Sequence, residues 1–594
     1  MYVHAKLGGT AESTLRPFMD RGVFYIGKNM QGGFHMKLNG SEIIIRLLEE
    51  QGITDIAGIP GGANLPLYDA LYKSSIKHIL CRHEQGGAFI AQGMTRSSGK
   101  VAVCFATSGP GATNLLTAIA DAKLDSIPII CITGQVAYPF IGTDAFQEVD
   151  TYGLTIPITK HNFLARSAKE LFLLIPEAFR VAKEGRPGPV VVDVPKDVQQ
   201  EIVELDEWPE LLAPVAKENN TDRSMIEWTS EQINKAKRPI LYIGGGVLNG
   251  NASKQIKELA NKNNIPVVTT LMGLGCFSCD EPLYLSMLGM HGTRYTNILL
   301  HEADLLLAFG VRFDDRATGN IKKFCPDAEI IHVDIDEAEI NKLKSVDYSI
   351  TGDIKTVLDE LVPLVEKNKR EEWITLVDKT KLEHPFVLPD ADDMLHPINI
   401  IKYVSNQIPK DSIITTDVGQ HQMWTAQVYP FRSPRTLLTS GGLGTMGFGL
   451  PAAIGAAIEN PDKQVVCFTG DGSILMNIQE LATLADLNLN VKIVILNNKH
   501  LGLVRQQQEL FYGGHYIASK FVTNPDFATI SRGFGIAGYD LSKEKDLIET
   551  LKKALAQPGP VLIDVPVRET ENVYPMVRPG SPITEMIGGE VNDK

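Results

Sequence analysis

Two distant segments of the 594-residue chain repeat one pattern, and this repetition limits the folds that the chain can adopt. Residues 103–134 read VCFATSGPGATNLLTAIADAKLDSIPIICITG, and residues 466–498 read VCFTGDGSILMNIQELATLADLNLNVKIVILNN. Each segment gives an apolar strand, a glycine-containing turn, a helix rich in alanine and leucine, and a second apolar strand, the order of a parallel βαβ unit. Any βαβ unit has this outline. Two similar units on either side of a different α/β block nevertheless favour a duplicated fold with an insertion between the copies.

Apolar strands alternate with helical patterns in three blocks, which predicts an α/β protein with three doubly wound parallel-sheet domains. We place these domains at residues 37–200, 224–365 and 395–570. Residues 1–36 have no hydrophobic periodicity, so we expect an N-terminal extension outside the fold, with the natural start near Met36. Residues 571–594 are expected to form a C-terminal tail or lid.

Charge and composition argue against several classes of partner. The formal net charge of -14 disfavours nucleic acid and anionic membrane surfaces. No apolar run reaches the ~18–20 residues of a membrane span, and the N-terminus lacks the apolar core of a secretory signal. Cys276 and Cys279 have zinc-knuckle spacing, but no second pair accompanies them. We therefore expect a reduced, cytoplasmic protein with no nucleic-acid or membrane partner.

A motif with metal and phosphate chemistry begins where a strand ends. Asp471 stands in Gly470-Asp471-Gly472-Ser473 after an apolar strand, and Asn498 follows the next strand. Parallel strands deliver their carboxyl ends to one edge of a sheet, where a carboxylate, an amide oxygen, a main-chain carbonyl and phosphate oxygens can hold Mg²⁺. The start of the following helix suits a phosphate. An Asp helix cap followed by an Asn turn is the plain structural alternative.

One acid stands beside a small, apolar run in CRHEQGGAFIAQG, residues 81–93. If this run packs inside, Glu84 is carried toward the interior, where a carboxylate is costly unless it is paired or protonated. A helix-surface acid beside Arg82 is the alternative. In the middle block, Gly244–Gly246 and Asp334–Asp336 each follow a strand, which indicates a nucleotide only weakly, and a structural turn explains the glycines equally well.

The Gly-Asp-Gly and Asn-Asn motifs resemble those of thiamin diphosphate (ThDP) enzymes, which carry two similar domains, often with a third between them. From Leu38 onward the chain resembles the catalytic (large) subunits of the acetolactate synthase family, also called acetohydroxyacid synthases. The segment NNKHLGLVRQQQELFY is most similar to the isozyme I type. The other runs that carry the resemblance are GIPGGANLPLYDAL, RHEQGGAFIAQG, SGPGATNL, DSIPIICITGQV, IGTDAFQEVD, GRPGPVVVDVPKDV, LGMHGT, RFDDRATG, HVDID, TTDVGQHQMW and SGGLGTMGFGLPAAIGA.

The resemblance implies a reaction, its cofactors and its partners. The implied activity is decarboxylation of pyruvate and transfer of the two-carbon unit to pyruvate or 2-ketobutyrate, in the biosynthesis of valine, leucine and isoleucine. The implied cofactors are ThDP, Mg²⁺ and an FAD with no redox role. The implied assembly is a homodimer or higher oligomer with active sites between subunits, together with a separate small regulatory subunit.

The same resemblance assigns roles to individual residues. Glu84 would contact the aminopyrimidine of ThDP, and Met446 would bend the cofactor into a V shape. Arg312 would receive the carboxylate of the second keto acid, which its always-charged, bidentate guanidinium suits. The neighbouring subunit would supply Gly62, Phe146, Gln147 and Lys196. The implied diphosphate residues are Gly419, Gln420, His421, Gly472 and Ser473, and Gly444 and Gly470 are further cofactor-binding residues. The metal ligands are Asp471, Asn498 and the main-chain carbonyl of His500. The FAD residues are Arg186, Gly289, Met290, His291, Gly292, Thr293, Arg312, Asp334, Ile335 and Asp353.

One position separates subtypes of the family. Gln507 stands where many members have a tryptophan that favours 2-ketobutyrate as acceptor. An extra methylene in an apolar pocket is worth ~1–3 kcal/mol, so the loss of the indole should flatten that preference toward two molecules of pyruvate.

Other functions compete with this interpretation. A ThDP oxidase or a catabolic synthase is the nearest alternative within enzymes, although RFDDR favours the FAD-containing synthase. Glyoxylate carboligase lacks the glutamate that this chain has at position 84. A ThDP-fold protein kept only for binding, and a nicotinamide dehydrogenase based on the middle block, are the alternatives from other classes.

Overall fold

The computed structural model describes residues 36–209 and 222–590. The predicted N-terminal extension, apart from Met36, lies outside the described residues. Three six-stranded parallel sheets dominate the structure, which confirms the predicted α/β class with three domains. In the described chain no helix is long and apolar enough to cross a membrane.

The first domain holds a sheet of order β3-β2-β4-β5-β7-β6 and an antiparallel pair, β1-β8. Its strands, numbered along the chain, are β1 (Met36–Asn39), β2 (Asp55–Gly58), β3 (Lys77–Leu80), β4 (Ala102–Ala106), β5 (Ile129–Gln135), β6 (His161–Leu164), β7 (Val190–Pro195) and β8 (Ile202–Leu205). Its α-helices are Gly40–Glu50, Leu65–Tyr72, Glu84–Ser98, Pro110–Leu124, Thr151–Thr155, Leu171–Lys183 and Lys196–Gln200.

The middle domain has the strand order β11-β10-β9-β12-β13-β14, the order of dinucleotide-binding sheets. Its strands are β9 (Pro239–Ile243), β10 (Val267–Thr269), β11 (Tyr284–Met287), β12 (Leu305–Phe309), β13 (Glu329–Asp334) and β14 (Tyr348–Thr351). Its α-helices are Arg223–Lys235, Gly245–Asn249, Ser253–Asn263, Arg294–Glu302, Asp315–Thr318 and Ile354–Leu364, followed by Glu371–Glu383.

The third domain holds a sheet of order β16-β15-β17-β18-β20-β19 and a short C-terminal antiparallel pair, β21-β22. Its strands are β15 (Ile413–Thr416), β16 (Leu437–Leu438), β17 (Val465–Gly470), β18 (Val491–Asn497), β19 (Ala537–Asp540), β20 (Val561–Pro566), β21 (Met576–Val577) and β22 (Met586–Ile587). Its α-helices are Pro397–Gln407, Gln420–Val428, Gly449–Glu459, Asp471–Ile474, Glu480–Leu487, Gly502–Phe511, Phe527–Gly533 and Leu547–Ala556.

The first and third sheets are copies of one topology. In both, the strands in chain order take the spatial order second, first, third, fourth, sixth, fifth. The two similar sequence segments form equivalent units, because β4 and β17 are each the third strand and β5 and β18 each the fourth. The middle sheet has a different order, so the structure is a duplication with an inserted domain, as the repeated pattern predicts.

Two glycine-containing helices join the first and third domains. Helix Glu84–Ser98 crosses helix Gly449–Glu459, and the two domains share one hydrophobic core. A Cβ atom at Gly93 would lie closer than 3.0 Å to the Ala452 backbone, and one at Gly455 would meet the Ile90 backbone in the same way. Only glycine lets the two backbones approach so closely. The small residues that follow Glu84 therefore serve domain packing.

Candidate active site

The carboxyl edge of the first sheet gathers the residues expected to face substrate. Gly62 follows β2, Glu84 follows β3, Phe146 and Gln147 lie in the loop after β5, and Lys196 follows β7. A Cβ at Gly62 would meet no atom within 4 Å, so the backbone there borders open space. Chain topology alone brings these five positions to one edge, as in other doubly wound sheets.

Glu84 is the first residue of its helix and is half-buried, not fully interior. Its carboxylate accepts a hydrogen bond from Asn114 Nδ2 at 2.9 Å. The run that follows, from Gly86 to Ser97, is buried throughout. The run itself is buried as expected, but Glu84 is not carried inside with it. Glu84 stays at the edge of the sheet as the N-terminal residue of the helix, where the helix dipole stabilises a negative charge.

A second, fully buried glutamate holds the backbone beside Glu84. Glu480, on the third domain, accepts hydrogen bonds from the backbone N–H groups of Arg82 and His83, each at 3.0 Å. Thr483 donates to its other oxygen at 2.7 Å. Burial raises the pKa of Glu480. The position of the Glu84 helix is therefore set by a carboxylate of the third domain.

The carboxyl edge of the third sheet brings together Asp471, Asn498 and His500. Asp471 is 1% exposed, its Oδ2 accepts from Asn524 Nδ2 at 3.1 Å, and its Oδ1 has no hydrogen-bond partner. Burial raises the pKa of Asp471 to about 7. Among the described residues, the Asn498 side-chain oxygen accepts only the backbone N–H of His500, at 3.1 Å. An unpaired buried carboxylate oxygen beside an amide oxygen fits a divalent cation with oxygen ligands.

The residues expected to hold a diphosphate form the adjacent wall. Gly419 has φ 152°, in a region that glycine adopts readily, and is the N-cap of helix Gln420–Val428. His421 is buried and its Nε2 has no partner, while burial lowers its pKa to about 3, so the ring is neutral and can donate one hydrogen bond. Gly470 lies against the His421 ring. Ser473 donates to the Val418 carbonyl at 2.8 Å and so fixes the loop rather than offering its hydroxyl.

The loop of residues 440–447, which includes Met446, is held in place by the buried carboxylate of Asp417. Asp417 is 1% exposed and accepts from the backbone N–H of Gly447 at 2.7 Å and from that of Val418 at 3.1 Å. Thr469 adds a hydroxyl at 3.2 Å. Burial raises the pKa of Asp417 to about 6. One carboxylate thus joins the loop of Met446 to the loop of Gly419.

A buried charged cluster of the first domain holds the other end of this loop. Arg96 contacts Asp121 at 3.1 Å and Asp125 at 2.8 Å, and both carboxylates are fully buried. Asp121 accepts from the hydroxyls of Ser440 and Thr445. Asp125 accepts from the backbone of residues 441 and 442, at 3.1 and 2.7 Å. This cluster of the first domain therefore holds residues 440–446, which belong to the third domain and are distant in sequence.

A cavity of about 660 Å³ runs between the middle domain and this loop. Its floor is the switch point of the middle sheet, where Gly244 and Gly246 pack against Gly310 so closely that a Cβ on any of them would clash with backbone. The triple glycine therefore serves close packing and lines the cavity as well. The expected FAD residues that line it are Arg186, Met290, His291, Arg312, Asp334, Ile335 and Asp353, and Gly444 and Gln507 line it too.

Three of the expected FAD residues lie behind the cavity wall. Gly289 has φ 93° and packs on the backbone of Arg316 and Ala317. Gly292 closes the turn against Leu288, and the Thr293 hydroxyl bonds that of Thr296 at 2.5 Å. These residues shape the loop that presents Met290 and His291 to the cavity.

Three arginines line the cavity: Arg186, Arg312 and Arg316. Arg186 forms ion pairs with Asp336 at 3.2 Å and Glu339 at 2.5 Å, so it also joins the first domain to the middle one. Arg312 donates to the Leu124 carbonyl at 2.6 Å and forms no ion pair with any acid of the described chain. The guanidinium of Arg312 is therefore free to receive a carboxylate.

The candidate site has two halves, Glu84 on the first domain and Met446, Asp471 and Asn498 on the third. In the described residues, no hydrogen bond or ion pair joins Glu84 to Met446, Asp471 or Asn498. Phe146 is 88% exposed. Other apolar side chains near it and on the third domain are exposed too, which is unusual for a surface that faces only solvent. These exposed side chains are Tyr138, Phe140, Leu154, Ile156, Leu475, Met476, Ile517 and Val522.

Several residues of the site were not predicted from the sequence. Asp417 directly follows β15 as Asp471 follows β17, and this strand-end position could have indicated it. Asn114, Glu480 and Asn524 give no local signal, because each acts on a residue that is distant in sequence. Cys276 and Cys279 are free, and no cluster of three or more metal-ligating His, Cys, Asp or Glu side chains occurs in the described part of the chain.

Comparison with known proteins identifies the family. Residues 38–154 match the thiamine pyrophosphate enzyme N-terminal TPP binding domain, 226–361 the central domain, and 417–565 the C-terminal TPP binding domain. The chain is 54% identical to the acetolactate synthase isozyme 1 large subunit of Escherichia coli K12 over 93% of its own length and 98% of the relative's. It is 46% identical to the isozyme 2 large subunit of the same organism, covering 93% and 99% of the two chains.

A more distant relative agrees. The acetolactate synthase large subunit of Porphyra purpurea is 45% identical, over 92% of this chain and 95% of that one. The matched domains coincide with the three sheets, and Gly419, His421 and Asp471 lie within the residues that match the C-terminal TPP binding domain. The chain therefore belongs to the thiamine pyrophosphate enzymes, in the family of acetolactate synthase large subunits.

Proposed function

We propose that the protein is the catalytic subunit of a ThDP-dependent acetolactate synthase. Two molecules of pyruvate and one proton would give 2-acetolactate and CO₂: one carbon–carbon bond breaks, another forms, and no electrons leave the pair of substrates. With 2-ketobutyrate as acceptor the product is acetohydroxybutyrate. The observation that carries the proposal is the unpaired Oδ1 of Asp471, together with the unpaired Nε2 of His421 on the same domain, in a chain 54% identical to an acetolactate synthase large subunit.

ThDP and Mg²⁺ suit the third domain. Asp471, Asn498 and the His500 carbonyl would hold the cation, and the unpaired His421 Nε2 would donate to a phosphate oxygen. Met446, held by Asp417, would support the bend of the cofactor. When bound, ThDP would supply a nucleophilic carbon for the keto acid and, in its thiazolium ring, an acceptor for the electron pair released with CO₂.

Glu84 would hold a proton at the ring nitrogen of the aminopyrimidine. Its place at a helix N-terminus and its bond from Asn114 orient one carboxylate oxygen and leave the other free. Burial of the site by a second subunit would raise the cost of the charged form and favour this shared proton. Glu480 would keep the Glu84 backbone in register with the third domain.

FAD suits the cavity of the middle domain. The sheet order, the volume of about 660 Å³ and the charge of Arg186 and Arg312 fit a dinucleotide. The net reaction has no redox change, so FAD would act by filling this cavity and supporting residues 440–444. The second keto acid would enter beside Arg312, whose guanidinium would pair with its carboxylate, and Gln507 would border the acceptor pocket.

The active site would be completed by a second copy of the chain. No hydrogen bond or ion pair joins Glu84 to Asp471 in the described residues, and the exposed apolar side chains around Phe146 and Met476 would be covered by a partner subunit. The relatives are named large subunits, which supports a separate small regulatory subunit here. A cytoplasmic location is proposed on the seven free cysteines.

The test is acetolactate formation from pyruvate with added ThDP, Mg²⁺ and FAD, measured as acetoin after acid treatment. Glu84→Gln should lower kcat strongly, since general acid–base groups contribute ~10²–10⁴-fold. Glu371→Gln is the matched control, because Glu371 also begins a helix but is exposed and distant from the site. Unchanged turnover in Glu84→Gln would contradict the proposal. A flavin spectrum bleached by pyruvate alone would indicate the oxidase alternative.

A further inference from the structure

The proposed cation site needs the oxygen of Asn498, not its nitrogen. The two ends of an amide have nearly the same shape, and a half-turn of the side chain exchanges them. Only the oxygen can bind Mg²⁺. The surrounding hydrogen bonds decide which end faces the cation, and in this protein they form two relays of amides, one for each side-chain ligand.

The first relay begins at the backbone of Val573, in the C-terminal segment. Val573 N–H donates to Gln506 Oε1 at 2.9 Å, and Gln506 Nε2 donates to the Val573 carbonyl at 3.0 Å. A backbone N–H can only donate and a carbonyl can only accept, so these two bonds fix the orientation of Gln506 without ambiguity. Gln506 is fully buried, so water cannot replace either bond.

Gln420 passes this orientation on to the metal ligand. Its Nε2 donates to Gln506 Oε1 at 2.9 Å and to the Glu571 carbonyl at 2.8 Å, which uses both of its hydrogens. Its Oε1 is left to accept, and it accepts from Asn498 Nδ2 at 3.1 Å. This bond and the His500 N–H, which donates to Asn498 Oδ1 at 3.1 Å, together point the nitrogen of Asn498 at Gln420 and leave its oxygen for the proposed cation. Turning Asn498 around would place two oxygens against each other.

The second relay orients Asp471. Asp564 accepts from Asn497 Nδ2 at 2.9 Å, so the oxygen of Asn497 faces away from Asp564. That oxygen accepts from Asn524 Nδ2 at 2.6 Å, and the same nitrogen donates to Asp471 Oδ2 at 3.1 Å. The Asp471 carboxylate is thereby held by one oxygen, and its other oxygen, which has no partner among the described residues, is left for the proposed cation.

We propose that Gln506 and Asn524 are positioning residues that present the oxygens of Asn498 and Asp471 to the divalent cation, and that residues 571–573 thereby control cation affinity. This inference rests on the proposed Mg²⁺–ThDP site. Neither residue is among the proposed ligands: Asn524 donates directly to Asp471, and Gln506 acts on Asn498 through one intervening side chain, that of Gln420. Loss of such outer partners typically costs ~10–100-fold in metal affinity.

The test is the affinity of the full-length protein for Mn²⁺ at saturating ThDP, measured from the free Mn²⁺ signal in electron paramagnetic resonance. Gln506→Met and Asn524→Asp should each raise the Mn²⁺ Kd about tenfold or more. The methionine keeps the volume but cannot orient Gln420, and the aspartate keeps the shape but cannot donate to Asp471. Gln508→Met is the matched control, since Gln508 lies on the same helix and bonds only the Ile517 carbonyl, at 2.8 Å; its Kd should be unchanged.

A conservative variant separates orientation from packing. In Gln506→Glu, a protonated carboxyl group can still donate to the Val573 carbonyl and accept from Gln420, so its Kd should lie much closer to wild type than that of Gln506→Met. Near-ultraviolet circular dichroism checks that each variant is folded. Equal losses in both variants at position 506, or wild-type affinity in folded Gln506→Met and Asn524→Asp, would overturn the relays. Failure of the wild-type protein to bind Mn²⁺ in a ThDP-dependent way would instead overturn the proposed function.

Discussion

Gly455→Ala places a methyl group at the crossing of the helices that join the two ThDP-type domains. Helix propensity alone predicts a gain, because alanine is favoured over glycine by ~1 kcal/mol in a helix interior. The structure predicts the opposite sign. The added Cβ would lie 2.0 Å from the Ile90 carbonyl oxygen and 2.9 Å from two further backbone atoms.

The size of the effect follows from this geometry. An ordinary carbon–oxygen contact is about 3.3 Å, so helices Glu84–Ser98 and Gly449–Glu459 would have to separate by about 1.3 Å. The obstacle is backbone, which cannot rotate away as a side chain can. Overpacking costs ~1–3 kcal/mol, and the upper part of this range less the propensity gain leaves a net loss of about 2 kcal/mol. For a cooperative unit of 150–250 residues this lowers Tm by about 4–8 °C.

Calorimetry of the cofactor-free protein measures this shift. Gly533→Ala is the matched control, because Gly533 is also helical, has no positive φ, and its Cβ would meet no atom within 4 Å. That variant should keep the wild-type Tm or exceed it slightly. A Tm for Gly455→Ala equal to or above that of the wild type would refute the reasoning, since it would mean that the two backbones are not in close contact.

Three further predictions follow from buried charges and from the acceptor pocket. Arg96→Met leaves the buried carboxylates of Asp121 and Asp125 without their cation and should lower the free energy of unfolding in urea by ~3–5 kcal/mol. Arg238→Met is the control: it removes an exposed ion pair with Glu302 and should lower the free energy of unfolding by less than ~1 kcal/mol. Burial raises the pKa of Asp471 to about 7, so a proton competes with the cation below that pH. The Mn²⁺ affinity at saturating ThDP should therefore fall up to about tenfold per pH unit below 7 and level off above 7. An affinity that does not change between pH 6 and pH 8 would contradict this. Gln507→Trp should raise the ratio of acetohydroxybutyrate to acetolactate by ~10-fold or more in mixed-substrate competition, and an unchanged ratio would remove Gln507 from the acceptor pocket.

The fold was largely accessible from the sequence, because its signals are local. Strand-length apolar runs, glycine turns and helical periodicity repeat along the chain, and the similarity of residues 103–134 to 466–498 indicated the duplication that the two sheets display. The positions of Asp471 and Asn498 followed from the rule that parallel strands end at one edge. The strand order of the middle sheet could not be derived from its three glycines alone.

The parts of the site that could not be predicted depend on contacts between distant residues. Glu480 holds the backbone at His83, and Asp121 holds Ser440, across most of the length of the chain. Gln506 and Asn524 lie in polar, unremarkable sequence, and their roles depend on which hydrogen-bond partners the tertiary fold brings to them. The degree of burial of Glu84 could not be predicted either, because it depends on where its helix begins relative to the domain surface.

Assembly of each site from two chains can be tested by mixing two inactive variants. Glu84→Gln and Asp471→Asn would each be inactive alone, and each hybrid dimer formed on mixing and subunit exchange would hold one site with both residues intact. Random exchange of equal amounts makes half of the dimers hybrid, so acetolactate formation should recover to about a quarter of the wild-type rate. If Glu84 and Asp471 of the same chain served one site, no hybrid would hold an intact site, and a mixture as inactive as its components would contradict the account.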